Sequence, residues 1–290
     1  MKSMILVTGA TGQLGGAVLK QLLKKIPADQ LVALVRDQSK AEALKKAGVT
    51  IREGDYHDPA SLKDAFIEVD KVVLISSSDF NDRLRQHQNV INVAKSAGVS
   101  HLVYTGVSLK DVHQSVLRDF MIDHYQTEDD ISASGLTYTF MQHTLYAEMI
   151  PFYIGKQVLE SGIVFPAGNG RVPFTLRDEM GEAIANVITA IGHENKTYNI
   201  TNTVAYTFRD IADALSELSG KAIGYTSPDI NSYIDMLKAK GASEMMIKAV
   251  SGISAGIRNG DFDVAGNDLT KLLGRKPTEL KTYLSSIYID

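Results

Sequence analysis

The chain has 290 residues, with 30 Lys and Arg against 34 Asp and Glu for a formal charge of −4; that length predicts one large domain or two intimate ones, and the mild acidity gives no reason to expect a nucleic-acid partner. It contains no cysteine, which excludes disulfides, Cys-ligated zinc, iron–sulfur clusters and thiol nucleophiles. No apolar run approaches the roughly 20 residues of a membrane span, and residues 1–8 lead straight into a glycine-rich turn with no room for a cleavable signal, so a cytoplasmic protein with no membrane partner is expected.

Short β-branched runs alternate with longer amphipathic stretches through the first half. Strands are predicted over 4–8, 31–36, 50–53, 71–76, 101–105 and 137–141, and helices over 13–25, 39–47, 59–66, 82–97 and 118–132. Gly48, Gly98 and Gly135 sit just before the next strand, where a left-handed helix cap belongs. This order predicts an α/β fold, a doubly wound parallel sheet of the Rossmann kind, with ligands beyond the carboxyl ends of the strands. After Tyr146 the alternation loosens around Pro151, Pro166, Pro173 and the Gly168-Asn169-Gly170 turn, and then a helix over 177–191 and a strand over 197–200 resume it. The remainder reads as short helices over 207–219, 229–240, 243–253, 267–273 and 278–285. The expected division is a dinucleotide-binding domain over 1–150, completed by 177–201, and a smaller, mostly helical substrate-side domain over 151–176 and 202–290.

Between the first strand and first helix lies Thr8-Gly9-Ala10-Thr11-Gly12-Gln13-Leu14-Gly15. Gly9 can end the strand, Gly12 lets the main chain approach a pyrophosphate, Gly15 permits close helix packing, and the helix N-terminus offers free N–H groups to phosphate. In that context the glycine pattern predicts a bound dinucleotide. Arg36 at the end of the second strand matches a 2′-phosphate in charge and fork geometry and favours NADP(H). The competing reading gives Asp37 the ribose hydroxyls if the strand runs one residue further.

Together with Val35-Arg36, Gly54-Asp55-Tyr56, Ile75-Ser76-Ser77-Ser78, Ala97-Gly98-Val99 and Gly192-His193-Glu194-Asn195-Lys196-Thr197-Tyr198, the turn resembles the NmrA-like branch of atypical short-chain dehydrogenases. More narrowly, the chain is similar to the bacterial type 2 NAD(P)H:quinone oxidoreductases and the triphenylmethane dye reductases. The resemblance covers nearly the whole length. It implies NADPH held by Gly9, Ala10, Thr11, Gly12, Gln13 and Leu14, by Arg36, and by Ser76, Ser77 and Ser78, with Asp55 and Tyr56 near the adenine. It places Gln142, His143, Thr144, Leu145 and Tyr146 at the nicotinamide side, where Gln142-His143 replaces the group's usual Arg-Asn pair. Thr144, Tyr146 and Phe152 are the candidate substrate contacts.

None of the 12 tyrosines has a lysine four residues on, the device by which ordinary short-chain dehydrogenases handle an alcohol proton. The nearest candidate, Tyr125, is followed by Asp129, whose charge opposes a phenolate. A quinone or cationic dye is electrophilic enough to take a hydride directly, so no catalytic acid or base is assigned from the sequence. His143 reads equally as a ligand to nicotinamide or acceptor and as a structural hydrogen bond. His124, Tyr125 and Glu128 read as a site cluster or, preferentially, as a surface helix face. No close-set metal-ligand pattern and no nucleophile elbow around Ser78 or Ser108 is present. Phe140, Tyr146, Phe152 and Tyr153 fall where the two domains should meet and suit either a flat acceptor or ordinary packing.

The expected function is therefore an NADPH-dependent, flavin-independent reductase of a quinone or similar conjugated small molecule. The alternative is a non-catalytic redox sensor that binds the same dinucleotide and answers to a protein partner. Composition leaves monomer and homodimer equally open.

Overall fold

The computed structural model describes residues 3–79 and 82–289. Its strands are β1 (Ile5–Val7), β2 (Leu31–Val35), β3 (Thr50–Glu53), β4 (Lys71–Leu74), β5 (His101–Val107), β6 (Tyr138–His143), β7 (Ile163–Val164), β8 (Lys196–Ile200) and β9 (Tyr225–Thr226). Seven of them form one sheet in the order β3-β2-β1-β4-β5-β6-β8, every pair parallel. The inner strands are apolar on both faces, as a sheet covered by helices on both sides requires: all of β1 and β2 is buried. The edge strands carry the polar residues, Arg52 and Glu53 in β3, Lys196 and Asn199 in β8.

The helices are α1 (Gln13–Leu22), α2 (Glu42–Lys46), α3 (Pro59–Ala65), α4 (Arg83–Ser96), α5 (Arg118–Ser134), α6 (Ile150–Ile154), α7 (Val158–Ser161), α8 (Arg177–Thr189), α9 (Phe208–Ser219), α10 (Ile230–Ala239), α11 (Glu244–Asn259), α12 (Asp268–Leu273) and α13 (Leu280–Tyr288). One face of the sheet is covered by α1, α8 and α12 around Val18, Leu22, Ile184, Ile188 and Leu269. The other is covered by α3, α4 and α5 around Leu62, Phe66, Val90, Ile131 and Tyr104. A third apolar cluster gathers Phe165, Phe174, Phe208, Tyr233, Ile257 and Leu284 with Leu109, Val112 and Leu117 from the segment after β5. Among the described residues no helix is long and apolar enough to cross a membrane.

Several boundaries differ from the sequence reading for physical reasons. The helix expected over 13–25 ends at Leu22, where Lys24 and Lys25 close tight turns onto Gln21 and Leu22 ahead of Pro27. The helix expected over 39–47 is split, because the Asp37 carboxylate caps the Ser39 N–H and starts a 3₁₀ turn, Gln38–Ala41, before α2. Strands β5 and β6 each run two residues further than expected, since Gly106 and Val107 pair with Gln142 and His143. A parallel pair, β7 with β9, stands in the part expected to be mostly helical, where no strand was named; two-residue strands leave no periodicity to read.

Candidate cofactor and active site

The strand order reverses between β1 and β4, and a cavity of about 530 Å³ opens at the carboxyl ends of the strands on that side. Its floor is the glycine turn. Gly9 has φ of 56°, a left-handed conformation that carries the chain off β1. Gly15 is required by the turn itself, because a Cβ there would stand 2.3 Å from the Gly9 carbonyl oxygen. Helix α1 starts at Gln13 with Gly12 as its cap and no side-chain cap bond, which leaves its first N–H groups open to an anion. Gly9, Thr11 and Gly12 line the cavity. Ala10 and Leu14 are instead buried in the apolar layer under α1, and Gln13 is exposed.

The end of β2 separates the two readings of Arg36 and Asp37. The strand stops at Val35, and Arg36 and Asp37 both line the cavity. Asp37 is already engaged: its Oδ1 accepts from the Ser39 N–H (3.0 Å) and the Ser39 hydroxyl (2.6 Å), which hold its carboxyl below the usual range. Arg36 is exposed and makes no side-chain hydrogen bond or ion pair among the described residues. Lys40, which the sequence reading did not single out, lines the same wall one turn later, 3.8 Å from Asp37. Two cations thus flank this end of the cavity.

Gly54, Asp55, Tyr56 and His57 after β3 form the next wall. Asp55 closes its own loop by accepting the His57 N–H at 2.9 Å. The Tyr56 hydroxyl lies within hydrogen-bond distance of Thr8 Oγ1 (2.5 Å) and the Ile75 carbonyl (2.9 Å), so it ties the loop to β1 and β4, and burial raises its phenol pKa. Ser76, Ser77 and Ser78 complete the lining after β4. The Ser77 N–H donates to His87 Nε2 (2.9 Å), which leaves His87 Nδ1 to donate to Thr127 (2.9 Å). Burial and the nearby Arg83 charge push the His87 pKa down to about 3, so this imidazole is a fixed neutral acceptor that shapes the serine loop. Its role left no mark in the sequence, because the pairing spans α4 and α5.

Gln142, His143, Thr144, Tyr146 and Phe152 are not in that cavity. Gln142 and His143 are the last residues of β6, not the first beyond it. Among the described residues His143 is buried with both ring nitrogens unpartnered and Thr144 Oγ1 is likewise unpartnered, and burial pushes the His143 pKa down to about 3. The Arg177 guanidinium covers the Tyr146 ring at 3.9 Å. Phe152 is 49% exposed, with its ring edge-on to Tyr153. Phe140 lies elsewhere, in the layer between the sheet and α4 and α5, stacked on Tyr138 at 4.2 Å, so it is a packing residue and not an interdomain one.

The α5 cluster is not a surface face, contrary to the preferred sequence reading. His124 is buried and its Nδ1 bonds the Tyr104 hydroxyl at 2.9 Å. Tyr125 donates to the Val107 carbonyl (3.1 Å) and accepts from the Leu109 N–H (3.3 Å), and burial pushes its pKa up to about 12. A phenolate is disfavoured there. Glu128, one turn on, faces Gln142.

Residues 1–284 match the NmrA-like family. The chain belongs to that family. It is 36% identical over 288 residues to quinone oxidoreductase 2 of Escherichia coli (strain K12), covering 98% of this chain and 99% of that protein. It is 29% identical over 255 residues to the NAD(P)H azoreductase of Xenophilus azovorans, covering 87% and 86%. Among solved structures it is similar to the E. coli NADPH-dependent quinone oxidoreductase complexed with NADPH, with a TM-score of 0.92 and 35% identity over 98% of this chain and all of that one. The Citrobacter sp. triphenylmethane reductase complexed with NADP(H) gives a TM-score of 0.91 at 36% identity, covering 98% and 99%.

Proposed function

We propose that this protein is an NADPH-dependent reductase that passes a hydride to a quinone or a similar conjugated acceptor without flavin. That it is an NADP(H)-binding oxidoreductase follows from its family and from relatives that are reductases over nearly the whole chain. The observation that carries the cofactor reading is the single cavity joining the glycine turn to Arg36 and Lys40. The turn and the uncapped start of α1 receive the pyrophosphate. Arg36 and Lys40 receive the 2′-phosphate, while Asp37 has one carboxylate oxygen taken up by Ser39. Gly54 lets the wall after β3 pack closely on the core, since a Cβ there would stand 2.8 Å from Leu34. When bound, the nicotinamide supplies the hydride.

The quinone reading is supported by what α5 lacks. Its Tyr125 has no lysine partner, and its hydroxyl is engaged with the β5 backbone. An acceptor that takes a hydride directly fits such a site, and positioning then supplies most of the rate. The relatives do not favour the sensor alternative. The test is to load the purified protein with NADPH and add 1,4-naphthoquinone, with no flavin present. Loss of the NADPH absorbance on mixing is expected; cofactor that stays reduced in the presence of the quinone would contradict the proposal.

A further inference from the structure

Reduction of a quinone to its hydroquinone adds a hydride and a proton, whereas a cationic triphenylmethane dye becomes neutral on taking the hydride alone. None of the tyrosines Tyr56, Tyr125 and Tyr146 near the strand ends is suited to give that proton, because the hydroxyls of Tyr56 and Tyr125 are engaged and burial raises the pKa of all three. Glu128 is different. It projects from α5 against the carboxyl ends of β5 and β6, where the Gln142 amide donates to both of its oxygens, at 3.1 Å to Oε1 and 2.9 Å to Oε2. Gly106, the residue opposite Gln142 in the sheet, makes the room: a Cβ there would stand 2.6 Å from Oε1. The groups that bear on the carboxyl are Asp129 and Tyr125 from its own helix, Tyr104 from β5 and Gln142 from β6. None of these is a cation, and among the described residues Glu128 has no salt bridge.

A neutral amide favours a buried carboxylate far less than a cation would, so it offsets only part of the cost of burying the charge. Burial raises the Glu128 pKa to about 7; the Gln142 hydrogen bond works against the rise and the Asp129 charge adds to it. The group therefore carries a proton it can release near neutral pH.

We propose that Glu128 is the proton source for the acceptor reduced at this site, with Gln142 as the positioning residue that holds its carboxyl at the ends of β5 and β6. The proposal rests on the quinone reading above. In the step, the quinone gains the hydride with its electron pair from NADPH, the Glu128 O–H bond breaks, and the proton passes directly or through one water to the acceptor oxygen that gains negative charge. The products are hydroquinone, NADP⁺ and the Glu128 carboxylate. Solvent returns a proton to the carboxylate through the partly exposed side chain.

The test compares Glu128→Gln with the native enzyme on two acceptors, 1,4-naphthoquinone and crystal violet. With quinone, the native enzyme should lose activity as pH rises through about 7, and the variant should lose on the order of 10²-fold in kcat together with that pH dependence. Crystal violet reduction should be unchanged, since it requires no proton. A second variant, Gln142→Leu, removes the bond that favours the charged carboxylate and should move the quinone profile to higher pH. Equal losses with both acceptors would assign Glu128 a structural role and overturn the proposal, as would full quinone activity in Glu128→Gln. A native enzyme that reduces crystal violet but not quinone would overturn the acceptor reading itself, a result distinct from either of those.

Discussion

Asp37 and Arg36 are adjacent in sequence and open to the same cavity, yet the Asp37 carboxylate is folded back on Ser39 while Arg36 makes no such bond among the described residues. The consequence is measurable. Arg36→Ala should weaken NADPH binding by about 1.5–3 kcal/mol, the range for hydrogen bonds to a charged group, and leave NADH nearly untouched. Titration of both cofactors checks it, and equal losses would remove the 2′-phosphate assignment. Lys40→Ala should show the same selectivity with a smaller loss, because an ammonium lacks the bidentate fork. At Tyr125 the reverse is expected. Among the described residues its hydroxyl bonds only backbone groups at the end of β5, so Tyr125→Phe should lower stability by roughly 1 kcal/mol and leave turnover largely intact; a collapse of turnover would make the phenol the proton donor in place of Glu128. Arg36 was legible because charge and position sufficed. Lys40 and His87 were not, because each acquires its role from a partner or a cavity wall contributed by a different element, and Glu128 reads in the sequence as part of a site cluster or, preferentially, of a surface helix face.

The loops after β1, β2, β3 and β4 line one cavity, and the alternation of strands and helices made all four visible in the sequence. Boundaries were less legible where a side chain competes with the backbone, as Asp37 does ahead of α2, or where a partner strand extends a pairing, as β5 does for β6. That last extension moved Gln142 and His143 from a loop into a strand. Gly15→Ala tests the turn at this scale. The added methyl would meet the Gly9 carbonyl, so a fall of about 1–3 kcal/mol in stability is expected, with weaker cofactor binding, read by thermal melts with and without NADPH. A second joint holds the segment before α13. Buried Glu179 on α8 accepts from Arg275 (2.7 Å), the Thr278 N–H (2.8 Å) and the Thr278 hydroxyl (2.9 Å). Glu179→Ala leaves Arg275 half-exposed and still paired with Glu182, but strands the Thr278 donors, and should cost roughly 1–3 kcal/mol.

Over the whole molecule, the sheet and its two helix layers place the cavity proposed for the dinucleotide at the reversal of strand order, and the α5 cluster lies further along the same carboxyl edge, under β5 and β6. Burying neutral imidazoles in these layers has a global cost in acid. His87 and His143 are both pushed down to about 3 by burial, so the unfolded chain binds protons there that the folded chain does not. Stability present above the ordinary histidine pKa of about 6.5 should be lost as pH falls toward 3. Denaturant midpoints at neutral and mildly acid pH check this, and His143→Asn should reduce the acid loss. Function is addressed most directly by steady-state oxidation of NADPH and NADH by the purified protein with 1,4-naphthoquinone as acceptor and no flavin. Turnover that strongly prefers NADPH, and loses that preference in Arg36→Ala, is expected. Cofactor binding without turnover, or equal turnover with NADH, would contradict the proposed reductase or its selection of NADPH.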